Sequence, residues 1–298
     1  MSKVCIVTGA SRGMGRGISR VLAEEEGATV YATARSQDAL NELAASLDGA
    51  AGTIHPVVLD QGDDDAVRDF VAMVASNEAG IDLLVNSAYG GLVAMTPHFG
   101  KPFWERPVSV FDASLNIGLR SAYVMSAAVA PYMVRQKSGL MVQVSSLGGY
   151  TYLFDVGYGV GKAGLDRLSA DMAAELKPHG VHSMTLYPGG AVTETAAFPG
   201  GETTTFAGRA VAALLNRTSS EELDRINGKV VQTMELALQH GFTDASGSLP
   251  DGPFSSQEAA EGTRALLKNT PVQYNLDGAL PDAGETNNPD AAAFFPGV

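Results

Sequence analysis

The sequence has very little cysteine, since Cys5 is the only one among 298 residues. A single thiol cannot form a disulfide within the chain, and it cannot supply a cysteine cage for a metal ion. Such sparse cysteine usage is typical of proteins in a reducing compartment. The sequence therefore predicts no disulfide and no metal site.

Positive charge is also scarce, because 20 Lys and Arg residues face 33 Asp and Glu residues, for a net charge of −13. A chain this acidic repels nucleic acid and anionic membranes, so we expect no nucleic-acid partner and poor binding to an anionic membrane. No stretch approaches the roughly 18 consecutive apolar residues that a membrane span requires, and the first apolar run is too short for a signal peptide. We therefore expect a cytoplasmic protein without a membrane span.

Apolar residues are plentiful, at 45% of the chain, so the chain can bury a sizeable core. Short apolar runs predict strands at Val4–Val7, Ala28–Ala34, Ile54–Leu59, Ile81–Val85, Leu140–Val144 and Val181–Leu186. Helical patterns alternate with them at Gly15–Glu25, Asp63–Ser76, Val110–Arg135 and Val160–Lys177. Strands that are apolar on both faces belong to parallel sheets. The predicted fold is a single α/β domain with a doubly wound, Rossmann-like parallel sheet.

The regular alternation lapses in residues 190–255, which are rich in Gly, Thr, Ser and Ala and have one helical pattern near Ser219–Gln239. Long irregular segments in compact domains are usually lids or binding loops. We therefore predict an insertion that covers a substrate site; the alternative is a peripheral packing helix. A helix at Ser255–Leu267 and a last strand at Val272–Leu276 are predicted to follow.

A glycine-rich turn joins the first predicted strand to the first helix, with glycines at positions 9, 13, 15 and 17. Glycine lets the chain turn tightly and lets backbone N–H groups approach a pyrophosphate, while the helix N-terminus favours negative charge. The strand before and the helix after this G-x-x-x-G-x-G turn predict a dinucleotide-binding loop. The alternative is a tight turn with no ligand.

Two arginines indicate which dinucleotide binds. Dinucleotide-binding folds that use NAD place Asp or Glu about 20 residues after the loop to hold the ribose 2′-hydroxyl, whereas an arginine there accommodates a 2′-phosphate. Arg35 occupies that place, and Arg12 lies inside the loop. Guanidinium groups pair well with phosphate, so the sequence predicts NADP(H). The alternative is two solvated surface charges.

A tyrosine and a lysine stand four residues apart, at Tyr158 and Lys162, on one face of a predicted helix. A nearby ammonium group is expected to lower the pKa of the phenol, which could then exchange a proton with a substrate oxygen near neutral pH. Ser145 and Ser146 end the preceding strand, where a hydroxyl can orient a carbonyl group. Asn116 lies inside a predicted helix, where asparagine is unfavourable, which suggests a polar role. The alternatives are a surface pair and a solvated asparagine.

Several of these segments together resemble the short-chain dehydrogenase/reductase family over residues 1–195. They are Thr8–Gly15, Asn86-Ser-Ala, Tyr158-Gly-Val-Gly-Lys162, and Pro188-Gly with Thr193. Three segments are most similar to the member 1 subgroup of that family: Asn86-Ser-Ala-Tyr89, Asn116-Ile-Gly-Leu-Arg120 and Tyr158-Gly-Val-Gly-Lys162-Ala. The resemblance implies an NADP(H)-dependent oxidoreductase that moves a hydride between the nicotinamide and a carbonyl or secondary alcohol. It also implies a homodimer or homotetramer assembled through the fourth and fifth helices.

The resemblance assigns roles to individual residues. The implied catalytic residues are Asn116, Ser146, Tyr158 and Lys162. Ser146 is favoured over Ser145 because a buried strand cannot slip by one residue, whereas the loop after it tolerates a deletion. Asp60 is expected to contact the adenine ring and Lys162 the nicotinamide ribose. The implied cofactor contacts are Gly9, Ser11, Arg12, Gly13, Met14, Gly15, Arg35, Asp60, Asn86, Ala88, Tyr158, Lys162, Pro188, Gly189, Val192 and Thr193.

Two other functions fit the same fold. An epimerase or dehydratase would resemble a longer relative with a G-x-x-G-x-x-G loop, which this sequence lacks. A non-catalytic NADP(H) sensor tends to lose the tyrosine or the lysine, and both are present. Apolar residues in the 190–255 segment hint at an apolar substrate, although core packing explains them equally well: Phe198, Phe206, Leu214, Leu215 and Met234.

Overall fold

The computed structural model describes residues 2–47 and 49–268. The strands of that part are β1 (Val4–Thr8), β2 (Thr29–Ala34), β3 (Thr53–Val58), β4 (Leu83–Asn86), β5 (Gly139–Val144), β6 (Val181–Tyr187), β7 (Ala191–Val192), β8 (Glu202–Thr203) and β9 (Val230–Gln232). Its α-helices are α1 (Gly13–Glu24), α2 (Gln37–Ala45), α3 (Asp64–Asn77), α4 (Gly91–Met95), α5 (Val108–Ser114), α6 (Ser121–Gln136), α7 (Val156–Leu176), α8 (Thr204–Asn216), α9 (Ser220–Ile226), α10 (Thr233–His240) and α11 (Gln257–Lys268).

Seven of these strands form one parallel sheet in the order β3-β2-β1-β4-β5-β6-β9. The predicted doubly wound parallel fold is confirmed, and β1 to β6 lie where the sequence placed strands. The strand order reverses between β1 and β4, which leaves a crevice at the carboxyl ends of these two strands. None of the helices in the described residues is long and apolar enough to cross a membrane.

The core lies on both faces of the sheet because the strands are buried on both sides. In β1, Cys5 and Val7 point into one core, with α1 and α8, while Val4 and Ile6 point into the other, with α3 and α6. This alternation is the period of two that a strand imposes on its side chains. The continuous apolar runs of the sequence are therefore explained by helices on each face.

Two predicted helices are divided in the structure. The pattern at Val110–Arg135 covers α5, a π-helical turn at Leu115–Arg120 and α6, and the turn contains non-helical backbone at Ile117 and Gly118. The carbonyl of Ile117 is free to accept a hydrogen bond from the Gly90 N–H at 2.6 Å. The predicted helix near Ser219–Gln239 is wrong as one element, because β9 separates α9 from α10 and pairs with β6.

The 190–255 segment is partly built into the core. Helix α8 packs closely on α1, where a Cβ on Gly17 would lie 2.3 Å from the Cβ of Thr204. Phe206 of α8 is fully buried, and β9 joins the main sheet. Only residues 190–203 and 241–255 are therefore left to cover a site, and that role stays a prediction. The predicted helix after the segment corresponds to α11, and the predicted strand Val272–Leu276 lies outside the described residues.

Candidate active site

Most of the predicted site residues lie at one edge of the sheet, where β1, β4, β5 and β6 end. The glycine-rich loop follows β1, and the two serines and the Pro188-Gly189 turn follow β5 and β6. Thr8 ties the first two strand ends together, since its Oγ1 accepts hydrogen bonds from the N–H groups of Ser87 at 3.0 Å and Ala88 at 3.1 Å. The edge is the carboxyl end of a parallel sheet, where α/β folds bind ligands.

The glycine-rich loop forms a cradle at the N-terminus of α1. Gly9 and Gly13 have φ angles of +70° and +55°, in the left-handed region that favours glycine. A Cβ on Gly9 would lie 2.7 Å from the Cα of Ala88, and one on Gly15 would lie 2.5 Å from the carbonyl oxygen of Gly9. Larger residues at these positions would clash with the backbone of the loop and of the segment after β4. Ser11 and Met14 lie half-buried in the same turn.

A carboxylate of the protein itself contacts this cradle. Oε2 of Glu194 accepts a hydrogen bond from the N–H of Gly13 at 2.8 Å. Glu194 belongs to the turn after β7, in which Thr193 Oγ1 accepts a hydrogen bond from the Ala196 N–H at 3.0 Å. A helix N-terminus favours anionic oxygen, and this contact shows that the Gly13 N–H is oriented to donate to one. It also places Thr193 and Glu194 across the loop.

Arg12 and Arg35 are exposed, and neither guanidinium group has a partner among the described residues. The other arginines of the chain differ. Ten of them form ion pairs, and Arg135 lies over the ring of Tyr132. Arg35 directly follows β2 and Arg12 directly precedes α1. The two uncompensated arginines of an acidic protein thus stand where the sequence predicts a 2′-phosphate.

Two further predicted cofactor contacts, Asp60 and Asn86, differ in whether the side chain is exposed or points into the protein. Asp60 is exposed after β3 and accepts a hydrogen bond from the Gly62 N–H at 2.9 Å. Asn86 points inward, where its Nδ2 donates to Ser126 Oγ at 3.0 Å and Gln143 Oε1 at 3.0 Å. Its side chain links β4 to α6 and β5, and its predicted contact with the cofactor stays a prediction.

The turn after β6 rests on a buried carboxyl group that the sequence did not indicate. Glu202 is fully buried, and its Oε2 accepts hydrogen bonds from the Gly189 N–H at 2.9 Å and from Thr233 Oγ1 at 2.6 Å. Burial raises the pKa of Glu202 to about 7. Glu202 thus holds the Pro188-Gly189 turn in place. Val192, which follows this turn on β7, is exposed. No motif surrounds Glu202, so only the folded structure could identify it.

Tyr158 lies in the first turn of α7 and contacts Ser146. The distance between Tyr158 Oη and Ser146 Oγ is 2.7 Å. Ser145 instead donates to the carbonyl oxygen of Lys162 at 3.2 Å, so Ser146 is the serine that faces the tyrosine.

Asp155 caps the N-terminus of α7 by accepting a hydrogen bond from the Tyr158 N–H at 2.6 Å. Arg106 forms a buried ion pair with Asp155 at 3.0 Å, which the sequence also did not indicate.

Lys162 is buried one turn after Tyr158. Its Nζ donates to the carbonyl oxygen of Val144 at 3.0 Å and lies 5.7 Å from the centroid of the Tyr158 ring. Burial lowers the pKa of Lys162 to about 8, and the charge of Asp166, one turn further along α7, opposes this effect. The predicted pair is therefore present in one place, with the lysine buried beneath the tyrosine.

The pKa of Tyr158 departs from the prediction. Burial raises the pKa of this phenol above its ordinary value, and the hydrogen bond with Ser146 opposes the increase. Lys162 was expected to lower the pKa, but its ammonium lies 5.7 Å from the centroid of the ring, and burial of the phenol is the largest cause of the shift. Tyr158 is accordingly protonated at neutral pH and can act as a proton donor.

The structure does not bring Asn116 to this cluster. Asn116 is exposed on the π-helical turn, and among the described residues its side chain forms no hydrogen bond with Ser146, Tyr158 or Lys162. Gly118, two residues later, is buried beside the ring of Tyr89. The non-helical backbone at positions 117 and 118 changes which residues face inward, and a continuous helical pattern could not reveal this.

The apolar residues that hinted at the substrate mostly belong to the core. Phe206, Leu214 and Met234 are buried under the sheet. The aromatic side chains beside Tyr158 come from other segments. The ring of Phe154 lies 5.0 Å from that of Tyr158, and Phe99 packs on Phe154 at 6.2 Å, both distances between ring centroids. Both phenylalanines are exposed, so they form an apolar wall beside the tyrosine.

Comparison with known proteins agrees with this geometry. The sequence model of the short chain dehydrogenase family matches residues 3–199. Dehydrogenase/reductase SDR family member 1 of Homo sapiens is 39% identical over 266 residues, which cover 82% of this chain and 84% of that protein. The 3-oxoacyl-[acyl-carrier-protein] reductase FabG of Thermotoga maritima is 32% identical over 188 residues, which cover 63% of this chain and 73% of that protein.

A solved structure shows the same fold. A metagenomic short-chain oxidoreductase in complex with NADP superposes with a TM-score of 0.66 at 28% sequence identity. The match covers 78% of this chain and 98% of that chain.

Proposed function

This chain belongs to the short-chain dehydrogenase/reductase family, and from that premise we propose that it is an NADP(H)-dependent oxidoreductase for an apolar carbonyl compound or secondary alcohol. The similarity predicted for the family and for its member 1 subgroup is confirmed. One observation carries the proposal: Ser146 and Tyr158 share a 2.7 Å contact above the buried Lys162, at the sheet edge that also holds the glycine cradle.

The residues present fit a proton-transfer role. Tyr158 keeps its proton at neutral pH because burial raises its pKa, so it can donate that proton to the developing alkoxide of a ketone. Ser146 can donate to the same oxygen and fix the orientation of the carbonyl group. In the reverse direction Tyr158 accepts the proton of the alcohol. The nicotinamide supplies or takes up the hydride when bound.

NADP(H) is the proposed cofactor, because Arg12 and Arg35 are exposed and have no partner within residues 2–47 and 49–268 of this acidic chain. The cradle at α1 would hold the pyrophosphate in place of the Glu194 carboxylate. Thr193, Pro188 and Gly189 would meet the nicotinamide end. The metagenomic relative that is described as a complex with NADP supports the same choice.

A direct assay tests the proposed reaction. Purified protein is incubated with NADPH or NADH and a panel of aliphatic, cyclic and aromatic ketones, with polar hydroxyketones as the contrast. We expect faster cofactor oxidation with NADPH and with apolar ketones, and loss of turnover in Tyr158→Phe. Cofactor binding without any turnover would favour a non-catalytic sensor instead. Turnover that is unaffected by Tyr158→Phe would contradict the assigned mechanism.

Three further properties are proposed from the sequence. The chain is expected to form a homodimer or homotetramer through α5, α6 and α7, and a monomer mass by light scattering at micromolar concentration would refute this.

The segments 190–203 and 241–255 are expected to cover the substrate, and NADPH should then protect them from limited proteolysis. The cytoplasmic location can be checked by cell fractionation.

A further inference from the structure

Tyr89 follows the Asn86-Ser-Ala segment and contacts both central residues of the proposed site. Its ring centroid lies 5.0 Å from Lys162 Nζ. Its ring also packs edge-on against the ring of Tyr158, at 5.7 Å between centroids and 86° between planes. An ammonium group over an aromatic face is attracted by the negative charge density of that face. Tyr89 therefore contacts Lys162 on the side that faces Tyr158.

The surroundings of Tyr89 are shaped to hold this ring. A Cβ on Gly91 would lie 2.2 Å from the Tyr89 hydroxyl oxygen, and one on Gly118 would lie 3.2 Å from Tyr89 Cδ2. The hydroxyl group shares a hydrogen bond with Ser114 Oγ at 3.1 Å. Burial raises the pKa of Tyr89, so its ring stays neutral and retains an uncharged face for a cation. Gly91 and Gly118 thus leave room for the ring, and Ser114 holds its hydroxyl group.

Few other groups stabilise the charge of Lys162. The ammonium donates to the carbonyl oxygen of Val144, and within the described residues it forms no ion pair within 4.0 Å. The groups that face it are the rings of Tyr89 and Tyr158 and, from its own helix, the more distant carboxyl of Asp166.

We propose that Tyr89 is a positioning residue whose aromatic face holds the Lys162 ammonium beside Tyr158. Its effect on catalysis rests on the proposed dehydrogenase function, whereas its contact with Lys162 does not. The aromatic ring is the part that matters, and the hydroxyl group only anchors the ring to Ser114. Tyr89→Phe keeps the ring and removes the hydroxyl, whereas Tyr89→Leu removes the ring.

The contact itself can be measured without turnover. The protein is labelled with ¹³Cε-lysine, the Lys162 signal is assigned from its loss in Lys162→Met, and the signal is followed by NMR through a pH titration. In Tyr89→Leu the pKa of Lys162 is expected to fall by about 0.4 to 1.5, which is the range of a cation–π contact. In Tyr89→Phe it should stay at the wild-type value. An unchanged or increased pKa in Tyr89→Leu, or an equal fall in both variants, would overturn the proposal.

A matched control separates this effect from a general loss of packing. Tyr31→Leu removes another buried ring, on β2, which stacks on His55 and donates to Glu78 at 2.8 Å. It should lower the melting temperature without changing the titration of Lys162. If Tyr31→Leu moves the Lys162 titration as much as Tyr89→Leu does, the effect is one of stability and the proposal fails.

The catalytic consequence is a second readout. With a ketone that the wild-type enzyme reduces, Tyr89→Leu should lower kcat about tenfold, with little change in KM, and should shift the alkaline limb of the pH profile to lower pH. Tyr89→Phe should restore most of the rate. Equal rates in wild type and Tyr89→Leu would refute the positioning role. If the wild-type protein reduces no ketone, the proposed function fails, and the NMR titration still decides the contact.

Discussion

The two halves of the proposed site are built in opposite ways. In the cradle proposed for the cofactor, Arg12 and Arg35 are exposed and have no partner among the described residues, and the Gly13 N–H donates to the carboxylate of the exposed Glu194. The catalytic cluster is internally paired. Tyr158 contacts Ser146, and Lys162 is buried and donates to a backbone carbonyl group.

This difference follows from what each half must do. A cavity for an anionic ligand gains affinity from charges that the protein has not already neutralised, and such exposed charges are screened by salt. A proton-transfer group needs a fixed position and a pKa set by its surroundings, which burial and hydrogen bonding provide. Substitutions in the cradle should therefore change cofactor binding in a salt-dependent manner, and substitutions in the cluster should change the rate.

The largest effect is expected from Tyr158→Phe. The variant keeps the ring that packs against Tyr89 and Phe154 and loses only the hydroxyl that donates the proton. We expect kcat to fall by roughly two orders of magnitude or more, as is typical for removal of a general acid. The dissociation constant for NADPH, measured by fluorescence titration, should stay within about twofold, because that affinity depends mainly on the cradle.

Tyr123→Phe is the matched control for this variant, since Tyr123 is exposed on α6. It should match the wild-type protein in rate and in cofactor affinity. If Tyr158→Phe retains near-wild-type turnover, the cluster is not the catalytic centre. If it loses NADPH binding together with turnover, the two halves are not separable in the way their structures suggest.

A second, smaller effect is expected from Arg35→Asp in the cradle. The wild-type enzyme should prefer NADPH to NADH by at least about tenfold in kcat/KM, because one charge-assisted contact contributes on the order of 1.5–3 kcal/mol. The carboxylate would repel the 2′-phosphate and accept a hydrogen bond from the 2′-hydroxyl group, so the preference should vanish or reverse. Added salt should weaken NADPH binding more than NADH binding in the wild type.

Arg225→Asp makes the same change of charge on α9, near the amino end of β6 and away from the site. It should leave the NADPH/NADH ratio unchanged, which separates a local contact from the effect of net charge. Equal use of both cofactors by the wild-type enzyme, or an unchanged ratio in Arg35→Asp, would show that Arg35 does not contact the adenosine ribose.

The sequence predicts those features of the fold and of the site that depend on residues close together in the chain. The strands and the glycine turn are visible because each is determined by neighbouring residues, as are Tyr158 and Lys162 on one helical face. The sequence does not predict the short strand β9, because Val230, Val231 and Gln232 lie within a longer helical pattern and only pairing with β6 makes them a strand. Helix α8 was missed among small residues that pack on the glycines of α1.

The parts that were not predictable depend on contacts between distant segments. Nothing near Glu202 in the sequence shows that it would be buried under the Gly189 N–H. The inward position of Gly118 and the outward position of Asn116 follow from a backbone irregularity that residue periodicity does not report. The raised pKa of Tyr158 likewise results from its burial in the folded chain, which the lysine four residues later in the sequence does not reveal.

The third effect concerns pH and arises in the cluster. Lys162 has a pKa of about 8, below its ordinary value because of burial, so its ammonium is lost as the pH rises through 8. Tyr158 has a raised pKa and keeps its proton over that range. We expect kcat/KM for ketone reduction to be level below pH 8 and to fall about tenfold for each pH unit above it. NADPH binding over the same range should change much less, and a rate that stays level to pH 10 would contradict the assigned role of Lys162.

The smallest effect, and the sharpest test of the cradle, is expected from Glu194→Gln. In the structure this carboxylate holds the Gly13 N–H at the N-terminus of α1, where the pyrophosphate of either cofactor is proposed to bind. A negative charge at a helix N-terminus contributes about 0.3–1 kcal/mol, so its removal should lower the dissociation constant by roughly two- to fivefold. The decrease should be equal for NADPH and NADH, because both carry the pyrophosphate, and kcat should not change. Glu221→Gln, on the exposed start of α9, should bind both cofactors like the wild type. Weaker binding in Glu194→Gln, or a gain confined to NADPH, would show that Glu194 and the pyrophosphate do not compete for the same N–H group.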